Sequence, residues 1–500
     1  RSTLITGIYA SSLGTQHLRS DIPVPEQMKI LPEVMREAGY YTSNNVKTDY
    51  NFSFEGRWDE SSKEAHWRNR PDGKPFFSVF NFMITHEGPT NALRPSDTSG
   101  LKNFHDPKKA NLPPHLPDSP KMREIWAHMY DLLSVFDQQV GELLGQLEED
   151  GAGLQVPFLL HVPEKYKNLV GNIAAPESDR LVSFVDFAPT TLALAGVSVP
   201  EIMEGVNFLA EEERKYVFGY RDRADDVYEV SRSVFDGRHL YIRHFMPHLP
   251  YYQNALIFNK GGSYAEINRL REIGDLPEAT RKMFTPKPVE ILYDLKTDPL
   301  EQHNLANDPK FKNKIAELAD KLDGWMIENR DTGLLSEGLM MQQASVNNAS
   351  VYEVSRAYPE ADFKVILNLA KMVGKIKDVS QVMPYLESEI DAVRFWGLVG
   401  IDAYEGEIDA IFSQLHGMLS DEAPAVAIKA AEILIKREEN KLAYKVLGEM
   451  LLLADEVQVL QAAISVRQLG AKANPLIPLI KEEVFPKYSG DIWGRYRSWS

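Results

Sequence analysis

Four basic side chains carry the chemistry that this sequence offers. Arg1 heads RSTLITG, a short amphipathic turn stopped by Thr6-Gly7, and His17 follows a glycine turn in GTQHLRS. Lys47 stands in NNVKTDYNF, just after REAGYYTSNN, which reads as a helix end leading into a strand. His86 closes the apolar run PFFSVFNFMITH (75–86), at the C-terminal end of a predicted strand, where open α/β sheets bind their ligands. An arginine, a lysine and two histidines on loops at the ends of strands and helices make an anion-binding pocket. Taken singly they are ordinary: a capping arginine, a surface lysine, a satisfied histidine. The set is what points to an anion.

The elements that must position them fall into three stretches. Residues 1–210 alternate short apolar runs with amphipathic helices. The run 75–86 reads as a strand buried on both faces of a sheet, and VPFLLHVP (156–163) reads the same way. Between them, Ile125, Met129, Leu132, Leu133, Phe136, Val140 and Leu143 recur at helical spacing over 122–151 and stop at Gly151. Strand, helix, strand predicts an α/β layered domain, with a long polar loop over 87–120. Residues 211–330 change character. In VYEVSRSVFDGRHLYIRHF (227–245), Asp236-Gly237 joins two alternating runs as a hairpin, and a strand over 290–294 and a helix over 308–328 complete a small antiparallel subdomain. From 340 to 500, Val393, Val426 and Val457 recur with a period near 30, each after an acidic turn. That spacing predicts an all-α solenoid of the HEAT type, used for interaction or packing.

Composition narrows the function. The chain is 43% hydrophobic and 25% charged, which is globular. A net charge of −17 argues against a nucleic-acid partner but leaves room for a locally basic pocket. No run reaches the roughly 18 apolar residues of a membrane span. The absence of cysteine removes disulfides, thiolate metal sites and a cysteine nucleophile from these residues.

At this point the sequence resembles the sulfatases of the alkaline phosphatase superfamily. Their signature reads Cys or Ser, any residue, Pro, Ser, Arg, three residues, then an aliphatic before Thr-Gly. RSTLITG is similar to its second half, with Arg1 as the signature arginine, Ile5 as the aliphatic and Thr6-Gly7 closing it. REAGYYTSNNVKTDYNF resembles the segment that presents a sulfate-binding lysine, here Lys47. NFMITHEGP resembles the strand that delivers a sulfate-binding histidine, here His86. DFAPTTLALAGVSVP (186–200) and ILYDLKTDPLEQHNLA (291–306) are further landmarks, and the likeness runs collinearly over about 1–330.

The resemblance implies an α/β/α sandwich of the alkaline phosphatase type with an antiparallel C-terminal subdomain. It implies a hydrolase of sulfate esters or sulfamates on sulfated glycans, exported to the periplasm or secreted. Such enzymes use a formylglycine nucleophile and a calcium ion. Arg1 would steady the formylglycine, while Lys47 and His86 would hold the sulfate and assist the leaving group. The loop 87–120 and RHFMPHLPYY (243–252), with Arg243 and His248, would meet the sugar beside His17.

The sequence also departs from the pattern. The lysine segment continues Lys47-Thr48-Asp49 where the family has Lys-Trp-His, so Asp49 takes the place of a histidine that contacts formylglycine. The nucleophile position falls four places before Arg1, and two Asp metal ligands lie further upstream. No Asp-His or Asp-Asn-Gly metal segment occurs over 151–185, which predicts an internal deletion near 151–156 and no calcium ligand in this chain. Two expectations follow: a sulfatase-family chain that does not turn over as it stands, or a catalytically silent scaffold that binds a protein or glycan through its helical tail. A phosphodiesterase of the same superfamily is a third reading, but it needs Asp and His clusters for two zinc ions that this sequence does not display.

Overall fold

The computed structural model describes residues 1–102, 104–150, 155–156, 159–160, 180–210, 213–253, 262–438 and 440–488. The chain opens with two single-turn helices, α1 (Ser2–Thr6) and α2 (Ala10–Leu13), each ended by a left-handed glycine, Gly7 at φ 68° and Gly14 at φ 90°. Both positions require glycine twice over. A Cβ on Gly7 would lie 2.9 Å from the Met203 sulfur, and one on Gly14 would lie 2.5 Å from Val351 Cγ1.

After α3 (Leu31–Glu37) comes a parallel sheet of three strands, β1 (Tyr41–Asn45), β2 (Glu60–Ser61) and β3 (Phe76–Phe80), in the order β2-β1-β3. The register of β1 against β3 runs from Tyr41 opposite Phe76 to Asn45 opposite Phe80. Central β1 is rich in small polar residues yet buried, so its polar groups find partners. The Ser43 hydroxyl lies 2.8 Å from that of Ser78, and Thr42 donates twice to the Asp59 carboxylate. Two expectations are corrected here. The run 75–86 is a strand only to Phe80, and β3 is half-buried because it flanks β1 at the edge of the described sheet. Just past the strand, Asn81 still bonds the Asn45 carbonyl through both its amide and its side chain.

Helices α4 (Glu87–Ala92) and α5 (Pro120–Glu149) follow, the second close to the helix its periodicity predicts. The expected buried strand over 156–163 is not one continuous strand. Gln155–Val156 (β4) and Leu159–Leu160 (β5) pair antiparallel with each other, and the remaining residues of that stretch lie outside the described ones. The expected deletion near 151–156 likewise falls largely outside the described residues. Next come α6 (Phe187–Leu194) and the antiparallel sheet: β6 (Val217–Arg221), β7 (Ser231–Phe235), β8 (His239–His244) and β9 (Glu290–Asp294), neighbours in that order. Gly237 at φ 94° makes the hairpin, and the amides of Arg238 and His239 donate to the Asp236 carboxylate. Between β8 and β9 lie α7 (Gly262–Glu272) and α8 (Glu278–Arg281), and α9 (Lys312–Glu328) then covers β7 and β8.

The described residues from 337 onward are mainly helical. In order come α10 (Glu337–Asn347), α11 (Val351–Ala357), α12 (Glu360–Ala370), α13 (Asp391–Asp402), α14 (Phe412–Met418), α15 (Pro424–Glu438), α16 (Lys441–Met450) and α17 (Glu456–Leu469). Helices α13, α15 and α17 stack in turn, while α10 packs against both α15 and α17. The tail is joined to the rest by a shared interior. One apolar core runs from Tyr9 and Val185 through Val234, Tyr241 and Leu292 of the sheet into Phe363, Trp396 and Ile428 of the helices. A smaller core around Ile5, Leu13, Leu31, Met35 and Leu192 holds α1, α2, α3 and α6 together.

Candidate active site

Arg1 stands at the start of α1, whose orientation is fixed on two sides. The Thr3 hydroxyl lies 2.6 Å from the Tyr220 hydroxyl of β6, and the Gly7 carbonyl accepts from the Glu204 amide at 2.7 Å. The Arg1 guanidinium reaches the loop after β1. It donates to the Thr48 carbonyl at 2.7 Å and to the Lys47 carbonyl, and it lies 6.0 Å above the Tyr50 ring. The arginine therefore binds the backbone that carries Lys47.

That loop is held from below. Asp49 at φ 45° and Asn51 at φ 59° take left-handed conformations, which Asp and Asn tolerate better than other side chains. Asn51 donates to the Thr15 carbonyl at 2.8 Å and accepts from the Arg19 amide at 3.1 Å, while its own carbonyl receives the Ile22 amide at 2.9 Å. Segment 15–22 and the lysine loop are thus tied together. The Lys47 ammonium meets the Asp49 carboxylate at 2.9 Å, with side chains 27% and 50% exposed. An ion pair this exposed contributes no more than about 1 kcal/mol, so a sulfate can draw the ammonium away at small cost.

His86 leaves the same edge of the sheet. Asn81, just past β3, donates its amide to the Asn45 carbonyl at 2.7 Å and its side chain to Asn44 and Asn45, which locks the C-terminal ends of β1 and β3 side by side. His86 caps α4, its Nδ1 accepting from the Gly88 amide at 3.5 Å. With Nδ1 accepting, the ring proton sits on Nε2, and the exposed imidazole keeps one donor for a ligand. Arg1, Lys47 and Asp49 form one contact set, and His86 stands apart from it at the start of α4, six residues beyond β3.

Three expected sugar contacts turn inward instead. His17 is 1% exposed, with its ring 3.9 Å from the Glu337 carboxylate, which Arg223 grips at 2.5 and 2.8 Å. Burial, only partly offset by Glu337, pushes its pKa down to about 4. Arg243 is buried between Asp323 at 2.6 Å, the Tyr241 hydroxyl at 2.8 Å and Glu290 at 3.4 Å. His248 lies 3.5 Å from Asp402, which also binds Lys429 and Lys436 of α15. All three side chains face acids of the fold, Glu337, Asp323 with Glu290, and Asp402, and are less exposed than a glycan contact requires. The residues that sequence reasoning missed are Asn51, Asn81 and Tyr50. The asparagines at 44, 45, 51 and 81, all beside strand ends, were the available signal.

Among the described residues no group of three or more His, Cys, Asp or Glu side chains could hold a metal ion. What Arg1, Lys47 and His86 can do to a sulfate follows from their own charge and donors.

No family profile matches the chain. An ulvan-active sulfatase from Formosa agariphila is 34% identical over 417 residues, covering 69% of each chain. The human N-sulphoglucosamine sulphohydrolase is 23% identical over 435 residues, covering 70% of this chain and 85% of that one. Among solved structures, a 2-O GAG sulfatase aligns at a TM-score of 0.41 and 16% identity, over 66% of this chain and 82% of that one. The similarity to the ulvan-active enzyme, carried over two thirds of both chains, makes this protein a member of the sulfatase family of sulfuric ester hydrolases.

Proposed function

We propose that the chain binds sulfate esters or sulfamates on sulfated glycans, the bonds its hydrolase family cleaves, with Lys47 and His86 as the sulfate ligands. The observation that carries this reading is the layout past two paired parallel strands: Lys47 lies two residues beyond β1, His86 six residues beyond β3 at the start of α4, and an arginine braces the lysine loop. Family membership supports it, as do the sulfated substrates named for the relatives, ulvan and N-sulphoglucosamine. The Lys47 ammonium supplies a point charge to a sulfate oxygen, and His86 Nε2 supplies a hydrogen bond to another. Arg1 positions Lys47 through two backbone carbonyls. The stacked tail helices are read as HEAT-type repeats that brace the sheet subdomain. Export to the periplasm or the medium fits a polymeric glycan substrate, and no described helix is long and apolar enough to cross a membrane.

The test is calorimetric titration of the full chain with ulvan oligosaccharides and their chemically desulfated counterparts, with released sulfate followed by ion chromatography. Binding that depends on sulfate is the expected result, and released sulfate would identify the chain as a working hydrolase. Sulfate-dependent binding without release is what the scaffold alternative predicts. Equal affinity for the desulfated sugar contradicts the reading.

A further inference from the structure

One charge in the candidate site has the wrong sign for an anion, and the sulfate ligands do not account for it. The Asp49 carboxylate meets the Lys47 ammonium at 2.9 Å, its one ion pair among the described residues. Its side chain is 50% exposed, so it is not a buried counter-ion serving the fold. The loop holds it in place. Asp49 takes a left-handed φ of 45°, Arg1 donates to the carbonyls of Lys47 and Thr48, and Asn81 Nδ2 reaches the Lys47 carbonyl at 3.5 Å. Asn51, two residues on, is tied to Thr15 and Arg19. With the backbone fixed on both sides and a short side chain confined to a few rotamers, the carboxylate stays near the ammonium when a ligand arrives.

What that carboxylate does to a ligand depends on the ligand's charge. An oxyanion on the free side of the Lys47 ammonium lies about 5 Å from Asp49, the reach of two charge-assisted hydrogen bonds through one nitrogen. At that separation and under near-aqueous screening, one pair of unit charges changes affinity about fivefold. The repulsion is therefore about fivefold against a monoanion and, as its square, about 25-fold against a dianion. Lys47 alone would favour the dianion, because its attraction grows in the same way. Asp49 cancels that advantage. A sulfate ester carries one negative charge, whereas a phosphate monoester carries two above its second pKa of about 6.

We propose that Asp49 is the charge-selecting residue of this site: held beside Lys47, it admits a singly charged sulfate ester and disfavours the doubly charged phosphate ester of the same sugar. This rests on the function proposed above and adds its selectivity. Asp49 also stands where the lysine segment departs from the pattern it resembles, so the selection belongs to this chain's own loop. Arg1 does not restore the lost attraction at close range, because its guanidinium is engaged by the Lys47 and Thr48 carbonyls.

The full chain, loaded with a sulfated ulvan oligosaccharide, is titrated at pH 8 with glucose 6-sulfate and separately with glucose 6-phosphate, and displacement of the oligosaccharide is followed by calorimetry. The wild type is expected to bind the phosphate no more tightly than the sulfate. Asp49→Asn keeps the size of the side chain and its tolerance of the left-handed turn, so the melting temperature should stay within about 2 °C of wild type. In that variant the sulfate should gain about fivefold and the phosphate about 25-fold, a shift of about fivefold toward the dianion. Repeating the comparison in 1 M salt should shrink the shift below about twofold, since the screening length there is about 3 Å. A wild type that prefers the phosphate, an equal change for both esters in Asp49→Asn, no change, or a shift that salt leaves intact overturns the role of Asp49 while the sulfate site stands. Failure of both esters to displace the oligosaccharide from the wild type overturns the sulfate site itself, and the role of Asp49 with it.

Discussion

At the scale of single residues, exposure separates the side chains that can serve a ligand from those that hold the fold. Lys47 and His86 are accessible, and their local partners are weak or long. Lys47→Ala should therefore lower affinity for a sulfated oligosaccharide about 10-fold to 100-fold and leave the melting temperature unchanged, as titration and a thermal melt would read. The buried bases behave oppositely. Arg223→Ala strands the Glu337 carboxylate in the interior and should cost about 3–5 kcal/mol in a denaturant titration. His17 has a folded pKa of about 4, below its value of about 6.5 in an unfolded chain, so the unfolded state binds the extra proton between those values. Stability is then full above about pH 6.5 and falls as the pH drops toward 4. His17→Gln should flatten that part of the stability profile, and an unchanged slope would assign the acid sensitivity elsewhere. Sequence reading treated the basic loop residues alike because a basic side chain on a loop says nothing about the acid it meets. Glu337, Asp323 and Asp402, which claim His17, Arg243 and His248, all lie far along the chain.

At the scale of elements, what was legible is what short-range pattern encodes. The helix over 120–149 follows from apolar spacing, the hairpin at Asp236-Gly237 from a two-residue turn, and the α1 stop from Thr-Gly. Strand limits were less legible, because an apolar run does not say where pairing ends. The ladder stops at Phe80 although Asn81, still bonded to the strand next door, and the apolar residues after it continue the run. The 156–163 run misled for a related reason: Leu159 pairs with Val156 inside the run and Leu160 with Gln155 just before it. The glycine that ends α2 gives the sharpest test at this scale. Gly14→Ala adds a methyl against Val351 of α11 at a left-handed position and should destabilise by about 2–4 kcal/mol in chemical denaturation. The paired change Gly14→Ala with Val351→Ala should recover the steric part only, leaving about 1 kcal/mol of backbone cost.

At the scale of the whole molecule, three stretches that look separate in sequence share one interior. Polar ties reinforce the common core at each seam. The Thr332 hydroxyl donates to the Ser11 carbonyl at 2.7 Å, the Trp396 indole to the Leu334 carbonyl at 2.6 Å, and Lys375 pairs with Glu290 at 2.8 Å. Within the tail, Asp402 is held well below the usual carboxylate range: burial opposes its charge, but Lys429 and Lys436 overcome that. The sheet subdomain and helical tail should accordingly unfold in one calorimetric transition, whereas a loosely tethered tail would melt separately. This unity was hidden from the sequence because periodicity reports which face of a helix is apolar, not which neighbour covers it. The same joined frame fixes the edge from which Lys47 and His86 project, so the account stands or falls on that edge. The most direct measurement compares wild type, Lys47→Ala and His86→Ala by titration with one sulfated oligosaccharide and its desulfated twin. The account predicts that each substitution removes most of the preference for sulfate while affinity for the desulfated sugar stays put. A preference that survives both substitutions would contradict it.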